Sequence, residues 1–225
     1  MTRAAWALVL VIAAELVGAL LWLRGHPAEV SGIPRPELGM LDSASAAEIT
    51  SRQQRVETEG TAEAWTDLAS IFITYGDFPE ADACCRQAEA LSPGANLNNF
   101  WWAIALYRLG RVSESNEKFQ VALKTAKPAQ AAIIRYCMGL NLLREERAAE
   151  AEGAFRQAGD MPSAQYELAK LFVRSDRAEQ ALPLLEKLTQ NNPRSVRYWE
   201  LRGNAAAAVG QLQQSDDFHD RAERA

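Results

Sequence analysis

The sequence predicts an all-α array of about five helix pairs over residues 61–225, and three observations carry that reading. A small residue recurs at Ala69, Ala103, Gly139, Ala169 and Gly203, at spacings of 34, 36, 30 and 34. Each lies inside an apolar run of helical period. The stretch 62–93 also reads as one complete unit. Trp65, Leu68, Ala69 and Phe72 share a helical face, and Gly76 to Pro79 breaks that helix. Pro79 suits a first helical turn. Ala81, Cys85, Ala88 and Leu91 then line a second helix, which Pro93 ends. One such unit cannot bury its apolar face alone, so its neighbours must repeat it.

Taken in order, the chain begins with residues 4–23, AAWALVLVIAAELVGALLWL, an apolar run with a single charge. That length spans a bilayer core as a helix. Trp6 and Trp22 sit near its ends, where interfacial aromatics belong, and Arg3 and Arg24 bracket it. Residues 1–24 therefore read as a transmembrane anchor. A cleaved signal peptide is the rival, but the run is long for one and no small-x-small site follows. Ala14, Glu15 and Gly18 share a helical face, the pattern of a contact with another membrane helix. The alternative is a Glu15 merely tolerated in the anchor.

Residues 25–42 carry Pro27, Pro34 and Pro36 with Gly25, Gly32 and Gly39 and read as a semi-extended linker. Residues 43–60 read as an N-terminal capping helix. Ser45 and Glu48 have the spacing of a capping box, and Ala47, Ile49 and Val56 form a weak apolar stripe.

The unit at 62–93 resembles the tetratricopeptide pattern W-x2-L-G-x2-Y, then A-x3-F, then P. Ala69 stands for the glycine, Phe72 for the tyrosine and Cys85 for the phenylalanine. The resemblance extends over residues 62–225 and implies a right-handed solenoid. The second unit has Trp102, Ala103, Leu106, Gly110 and Phe119, and the third has Gly139, Leu142, Ala151 and Phe155. The fourth has Ala169, Phe172, Ala181 and Leu185, and the fifth Trp199, Gly203, Gly210 and Ala222. Ser115, Ser215 and His219 depart from the pattern, and His219 reads as a helix-surface residue. The short spacing before Ala169 clips the second helix of the third unit. Pro183 should bend or delay its helix. Resemblance to bacterial signal-anchored proteins with very short N-terminal tails implies an inner-membrane protein with its repeats in the periplasm. Lys and Arg counts leave repeats facing the cytoplasm open.

In tetratricopeptide arrays the first helix of each repeat lines a concave groove. By that resemblance the groove here holds Phe100, Ile104, Tyr107 and Arg108, then Ile133, Tyr136, Leu140, Leu143 and Arg144, then Tyr166, Lys170, Val173 and Arg174. Phe100, Tyr136 and Tyr166 form an aromatic row, and Arg108, Arg144 and Arg174 an arginine row. Such a surface suits a protein or peptide with apolar anchors and acidic groups. The competing reading is that the arginines are ordinary charges near helix C-termini, favoured by the macrodipole. The family's chaperone-binding members use a Lys/Asn carboxylate clamp. The matching positions here hold Thr66, Ser70, Trp101, Ile133 and Cys137, so no such tail is expected.

The net charge of -5 argues against a nucleic-acid partner. Cys84, Cys85 and Cys137 are too few and too ill-spaced for a disulfide framework and read as small buried thiols. The two histidines and the absence of a phosphate loop, nucleophile elbow or metal-spaced Cys/His set argue against an enzyme, a metal and a cofactor. The expected function is a membrane-anchored interaction scaffold or assembly factor in a cell-envelope complex. A structural subunit of a large membrane enzyme and a cytosol-facing receptor for client proteins are the alternatives.

Overall fold

A computed structural model describes residues 32–34 and 42–224. Eleven helices are present among them: α1 (Ser43–Glu59), α2 (Ala62–Tyr75), α3 (Phe78–Leu91), α4 (Asn96–Arg108), α5 (Val112–Leu123), α6 (Pro128–Arg144), α7 (Ala148–Gln157), α8 (Pro162–Arg174), α9 (Ala178–Asn191), α10 (Val196–Ala208) and α11 (Leu212–Arg224). No strand occurs among the described residues. The helices form two compact units, one running to Pro93 and the other starting at Gly94. The anchor at 1–24, with Ala14, Glu15 and Gly18, lies outside the described residues, as does most of the linker. Among the described residues no helix is long and apolar enough to cross a membrane.

In the first unit α1 packs on α2, with Ile49 and Val56 buried and Ala47 exposed. The cap differs from the expected capping box. Helix α1 starts before Ser45, because the Asp42 carboxylate accepts from the amides of Ala44 and Ser45 at 3.0 Å and from Ser45 Oγ at 2.6 Å. A carboxylate there satisfies orphan donors and faces the positive helix end. Arg55 ties α1 to α2 through Asp67. Gln53 Nε2 donates to the Pro34 carbonyl at 2.7 Å. Trp65, Leu68, Ala69, Phe72, Ala81, Cys85 and Ala88 are buried as expected, whereas Leu91 is exposed.

The second unit is four helix pairs, α4–α5, α6–α7, α8–α9 and α10–α11. In each pair the small residue and the residue sixteen positions later lie in the helix-pair core. Gly139 stands against Phe155 and Gly203 against His219, while Ala103 and Phe119 share one buried cluster and Ala169 and Leu185 another. A Cβ on Gly139 would fall 2.4 Å from Phe155 Cε1, and one on Gly203 would fall 2.6 Å from His219 Nε2. The two glycines thus stand against rings that leave no room for a methyl. His219 is a half-buried contact residue rather than a surface one. It lies within reach of Asn204 Oδ1 (3.3 Å) and Ser215 Oγ (3.5 Å).

The turn inside each pair is also one device repeated. Seven positions after the small residue the chain turns left-handed, at Gly110, Glu146, Asp176 and Gly210 here and at Gly76 in the first unit. The amide after it returns to the first helix, as in Arg111 to Leu106, Arg147 to Leu142, Arg177 to Phe172 and Gln211 to Ala206, all at 2.8–2.9 Å. This is the Schellman closure, which favours glycine. Glu146 (φ 60°) and Asp176 (φ 58°) adopt it with a Cβ, at a steric cost of about 1–2 kcal/mol each.

The longer spacing before Gly139 is taken up inside a helix, because Pro128 opens α6 and α6 runs to 17 residues. Helix α7 is clipped to 10 residues, as the spacing predicts. Pro183 lies inside α9, which starts at Ala178 without delay.

Polar links join successive pairs. Ser115, which replaces the usual alanine, is buried and donates to the Ala103 carbonyl at 2.7 Å. It accepts from Asn141 Nδ2 at 3.0 Å, and Asn141 also donates to Asn116 Oδ1 at 2.7 Å. Gln130 Nε2 donates to Asn96 Oδ1 at 2.8 Å, and Asn96 reaches the Ala122 carbonyl.

Candidate functional site: two equivalent pockets on the first-helix face

The first helices of the second unit carry all thirteen predicted groove residues, and the structure divides them into three groups. Ile104, Tyr107, Arg108 and Leu140 come together around a cavity of about 210 Å3 between α4 and α6, with Phe119 and Cys137 completing it. Tyr166, Lys170, Val173 and Arg174 come together around a second of about 270 Å3 between α8 and α10, with Arg197, Glu200, Leu201 and Asn204. Phe100, Ile133, Tyr136, Leu143 and Arg144 line neither, and Ile133 is exposed.

The two pockets occupy the same register. Counted from the small residue of each pair, both use positions +1, +4 and +5 of one first helix and -2 and +1 of the next. Ile104 therefore corresponds to Lys170, Tyr107 to Val173, Arg108 to Arg174, Cys137 to Leu201 and Leu140 to Asn204. One backbone geometry holds an apolar cavity at one place and a charged one two repeats away. The register between them, on α6 and α8, is filled by the protein's own groups. Leu143 packs into the core, Lys170 pairs with Glu167 at 2.8 Å, and Arg144 is engaged elsewhere.

Arg144 does not project into a groove. Its Nη1 donates to the Tyr107 carbonyl at 2.8 Å and its guanidinium lies 4.4 Å from the Tyr107 ring centre. It satisfies a carbonyl in the last turn of the preceding first helix, where a cation also meets the negative helix end. The macrodipole reading thus describes Arg144, although the helix served is α4, not its own. Two residues of the aromatic row are likewise turned inward. Phe100 meets Phe119 edge-on at 6.3 Å and Tyr136 leans on Phe155 at 6.1 Å, so both rings pack on the second helices.

The charges of the α8–α10 pocket are held in place. Arg197 Nη2 donates to Tyr198 Oη at 3.2 Å, and its guanidinium lies over the Tyr166 and Tyr198 rings at 5.1 and 4.9 Å. The Tyr198 hydrogen bond raises the Arg197 pKa further. Three cations, Lys170, Arg174 and Arg197, face two carboxylates, Glu200 and the Glu167 already paired with Lys170. A positive pocket on a chain of net charge -5 is a local inversion of sign. In the other pocket, burial pushes the Cys137 thiol up to about 11, so it is an apolar wall at neutral pH. Burial, then the nearby Glu167, also raises the Tyr136 pKa.

Sequence reasoning missed Cys137, Arg197, Tyr198, Glu200 and Asn204. Asn204 occupies the +1 position recognised at Ile104, Leu140 and Lys170, so that pattern was the available signal, whereas the -2 position of Cys137 was given to the groove in no repeat. The position of Arg197 was picked at Ile133 alone and holds Glu63, Leu97 and Ser163 in the other repeats. Both volumes lie below the roughly 300–1,000 Å3 of small-molecule sites, which suits single side chains better than a cofactor. Among the described residues no group of His, Cys, Asp and Glu is arranged to hold a metal ion.

Residues 142–205 match the family model of the tetratricopeptide repeat. A search of the curated proteins finds no relative by sequence. Solved structures do resemble the chain. The pilF protein of Pseudomonas aeruginosa is 19% identical with a TM-score of 0.71, covering 80% of this chain and 84% of that one. YrrB, described as a TPR protein with an unusual peptide-binding site, is 15% identical with a TM-score of 0.64, covering 77% and 91%. MamA from Desulfovibrio magneticus RS-1 is 16% identical with a TM-score of 0.64, covering 72% and 93%. At these identities the likeness is one of fold, and no catalytic family is indicated. The repeat match and the fold of these neighbours together support a tetratricopeptide repeat protein.

Proposed function

We propose that the protein is a membrane-anchored scaffold that holds a segment of a partner protein along the first-helix face of its second unit, within a cell-envelope complex. The observation that carries this reading is the pair of register-equivalent pockets, one apolar and one cationic, on a chain of opposite net charge. The apolar pocket takes an aliphatic or aromatic side chain, and the cationic pocket takes a carboxylate through Arg174 and Arg197. Residues 4–23 support the anchor by their length and hydrophobicity. Within this proposal the repeats face the periplasm. Purification from native membranes tests the reading. A co-purifying chain that is lost on Ile104→Asp or Arg174→Glu supports it, and a chain retained by both variants refutes groove binding. Extraction of membranes at alkaline carbonate tests the anchor, because an integral protein stays in the pellet. Thiol labelling of a cysteine placed on the exposed face of α11 in intact spheroplasts tests the side.

A further inference from the structure

We infer that a cavity lined by α5, α6 and α7 receives an uncharged aromatic side chain from a segment of a partner protein. This cavity of about 400 Å3 shares no residue with the two first-helix pockets and stands independently of them.

Its register recurs in the next two repeats, where the corresponding side chains meet one another. Counted from the small residues, Asn116 and Gln120 correspond to Glu152 and Arg156, and Leu142 and Arg147 to Phe172 and Arg177. One repeat further, Gln120 corresponds to Glu186, Met138 to Arg202 and Ala154 to Phe218. At the first of these seams Arg156 and Arg177 both bond to Glu152 at 2.8 Å. They lie 5.5 and 4.9 Å from the Phe172 ring centre. At the second, Arg202 lies 4.4 Å from the Phe218 ring centre and 3.8 Å from Glu186. Each seam thus sets an aromatic ring against a guanidinium beside a carboxylate.

The α5–α6–α7 cavity keeps the guanidinium and lacks the ring. Arg147, at the position of Arg177, is held by Glu145 and Glu150 through three nitrogens at 2.7–2.8 Å. Amides replace the acidic groups across the seam, at Asn116 and Gln120, so no carboxylate there draws Arg147 over. Leu142 stands where Phe172 does, Ala154 stands where Phe218 does, and no aromatic residue lines the cavity. A guanidinium face is weakly hydrated and stacks well on a ring. Its charge is already balanced by two carboxylates, so a charged newcomer would find no free counter-ion. The missing ring is therefore a neutral one.

The rest of the lining suits the ring and the chain that carries it. Met138 and Leu142 offer apolar surface, and a thioether favours an aromatic neighbour. Asn116 Oδ1 accepts from Asn141 Nδ2 at 2.7 Å, which leaves its NH2 group as a donor. Gln120 and Gln157 are exposed amides that can pair with a peptide main chain. Gly153 gives that main chain room. A glycine weakens a helix interior, and a Cβ here would meet nothing within 4 Å, so the packing of α7 does not call for one. Glycine does let a second backbone approach closely.

The test uses the full-length chain in detergent with isotope-labelled methionine methyl groups. The probes are blocked peptides Ser-Gly-X-Gly-Ser in which X is Phe, Leu or Arg. The chain has four methionines, and Met138 alone lines the cavity, so loss of a resonance in Met138→Leu identifies it. The Phe peptide should shift the Met138 resonance saturably by its ring current. It should bind at least tenfold more tightly than the Leu or Arg peptide. Gly153→Leu should abolish the shift with helicity intact by circular dichroism. Arg147→Lys, which keeps the charge without the planar face, should bring the Phe peptide down towards the Leu peptide. Ile104→Asp, in a first-helix pocket, should change nothing. A Leu or Arg peptide that binds as tightly as the Phe peptide overturns the aromatic assignment. A shift that survives Gly153→Leu, or one lost on Ile104→Asp, overturns the site. Absence of any saturable shift overturns the inference as a whole and leaves the first-helix groove untouched.

Discussion

Replacing Gly139 and Gly153 by alanine, separately, isolates the packing term that shapes the second unit. Both glycines lie inside helices, α6 and α7, so each substitution gains about 0.8–1.0 kcal/mol of helix propensity. At Gly153 a new Cβ meets nothing within 4 Å, and the whole gain should appear as stability. At Gly139 the Cβ would lie 2.4, 2.7 and 2.8 Å from three atoms of the Phe155 ring. That ring is buried and backed by Tyr136, so it cannot retreat freely. Overpacking of this kind costs about 1–3 kcal/mol, which outweighs or cancels the propensity gain. The difference between the two variants is then the overpacking alone, about 1–3 kcal/mol. For a chain of this size that separates their melting temperatures by about 2–12 °C, read by circular dichroism. Phe155→Leu in the Gly139→Ala background should recover part of the loss, giving a coupling of at least about 1 kcal/mol in the double-mutant cycle. Equal stabilisation by both alanines would refute the argument, because it would mean that α6 and α7 do not meet at this contact.

Further predictions concern single groups. Glu146→Gly should raise stability by about 0.5–1 kcal/mol in urea denaturation, since glycine removes the left-handed Cβ penalty at a smaller entropic cost. Arg144→Gln should lower the melting temperature by a few degrees without changing affinity for the partner segment, the reverse of Arg174→Gln. Cys137 alkylation should keep rising with pH through about 10, because its thiol titrates near 11, whereas an exposed thiol levels off above its ordinary value. Glu152 is held below its usual carboxylate range by hydrogen bonds from Arg177 and Arg156. A depressed carboxylate contributes stability above its unfolded pKa and loses it as pH falls through the folded one. Glu152→Gln should therefore flatten the loss of stability on acidification below about pH 4.5, measured by denaturant titration at each pH.

How far these features were legible in the sequence depends on whether they repeat. The five small residues located every pair, because a close approach between helices tolerates only a small side chain there. The turn at +7 was visible at Gly110 and hidden at Glu146 and Asp176, where the backbone adopts a glycine conformation without glycine. The groove was half legible. Ile104, Tyr107, Arg108, Leu140, Tyr166, Lys170, Val173 and Arg174 line pockets. Phe100 and Tyr136 share the helix face but lean onto Phe119 and Phe155, a choice of rotamer that spacing does not encode. Arg144 was misread because its partner, the Tyr107 carbonyl, is a backbone atom 37 residues away. Arg197 was missed because its position changes character from repeat to repeat, as Glu63, Leu97, Ile133 and Ser163.

The seam between the α4–α5 and α6–α7 pairs has a consequence for how such a chain changes by duplication. The small residue and its ring, such as Gly139 and Phe155, both belong to one repeat. The core nevertheless crosses from repeat to repeat, since Ile134 is buried with Ala103, Phe119 and Ala122, and Tyr166 meets Tyr198. At this one seam the links through Asn96 and Gln130, through Ser115 and Asn141, and through Arg144 and the Tyr107 carbonyl are polar and need both partners. A copied repeat set beside a different neighbour would bring its own helix-pair contact but leave Asn141 and Arg144 without these acceptors. The neighbours that these two repeats tolerate are thus narrowed by a few amides and one guanidinium.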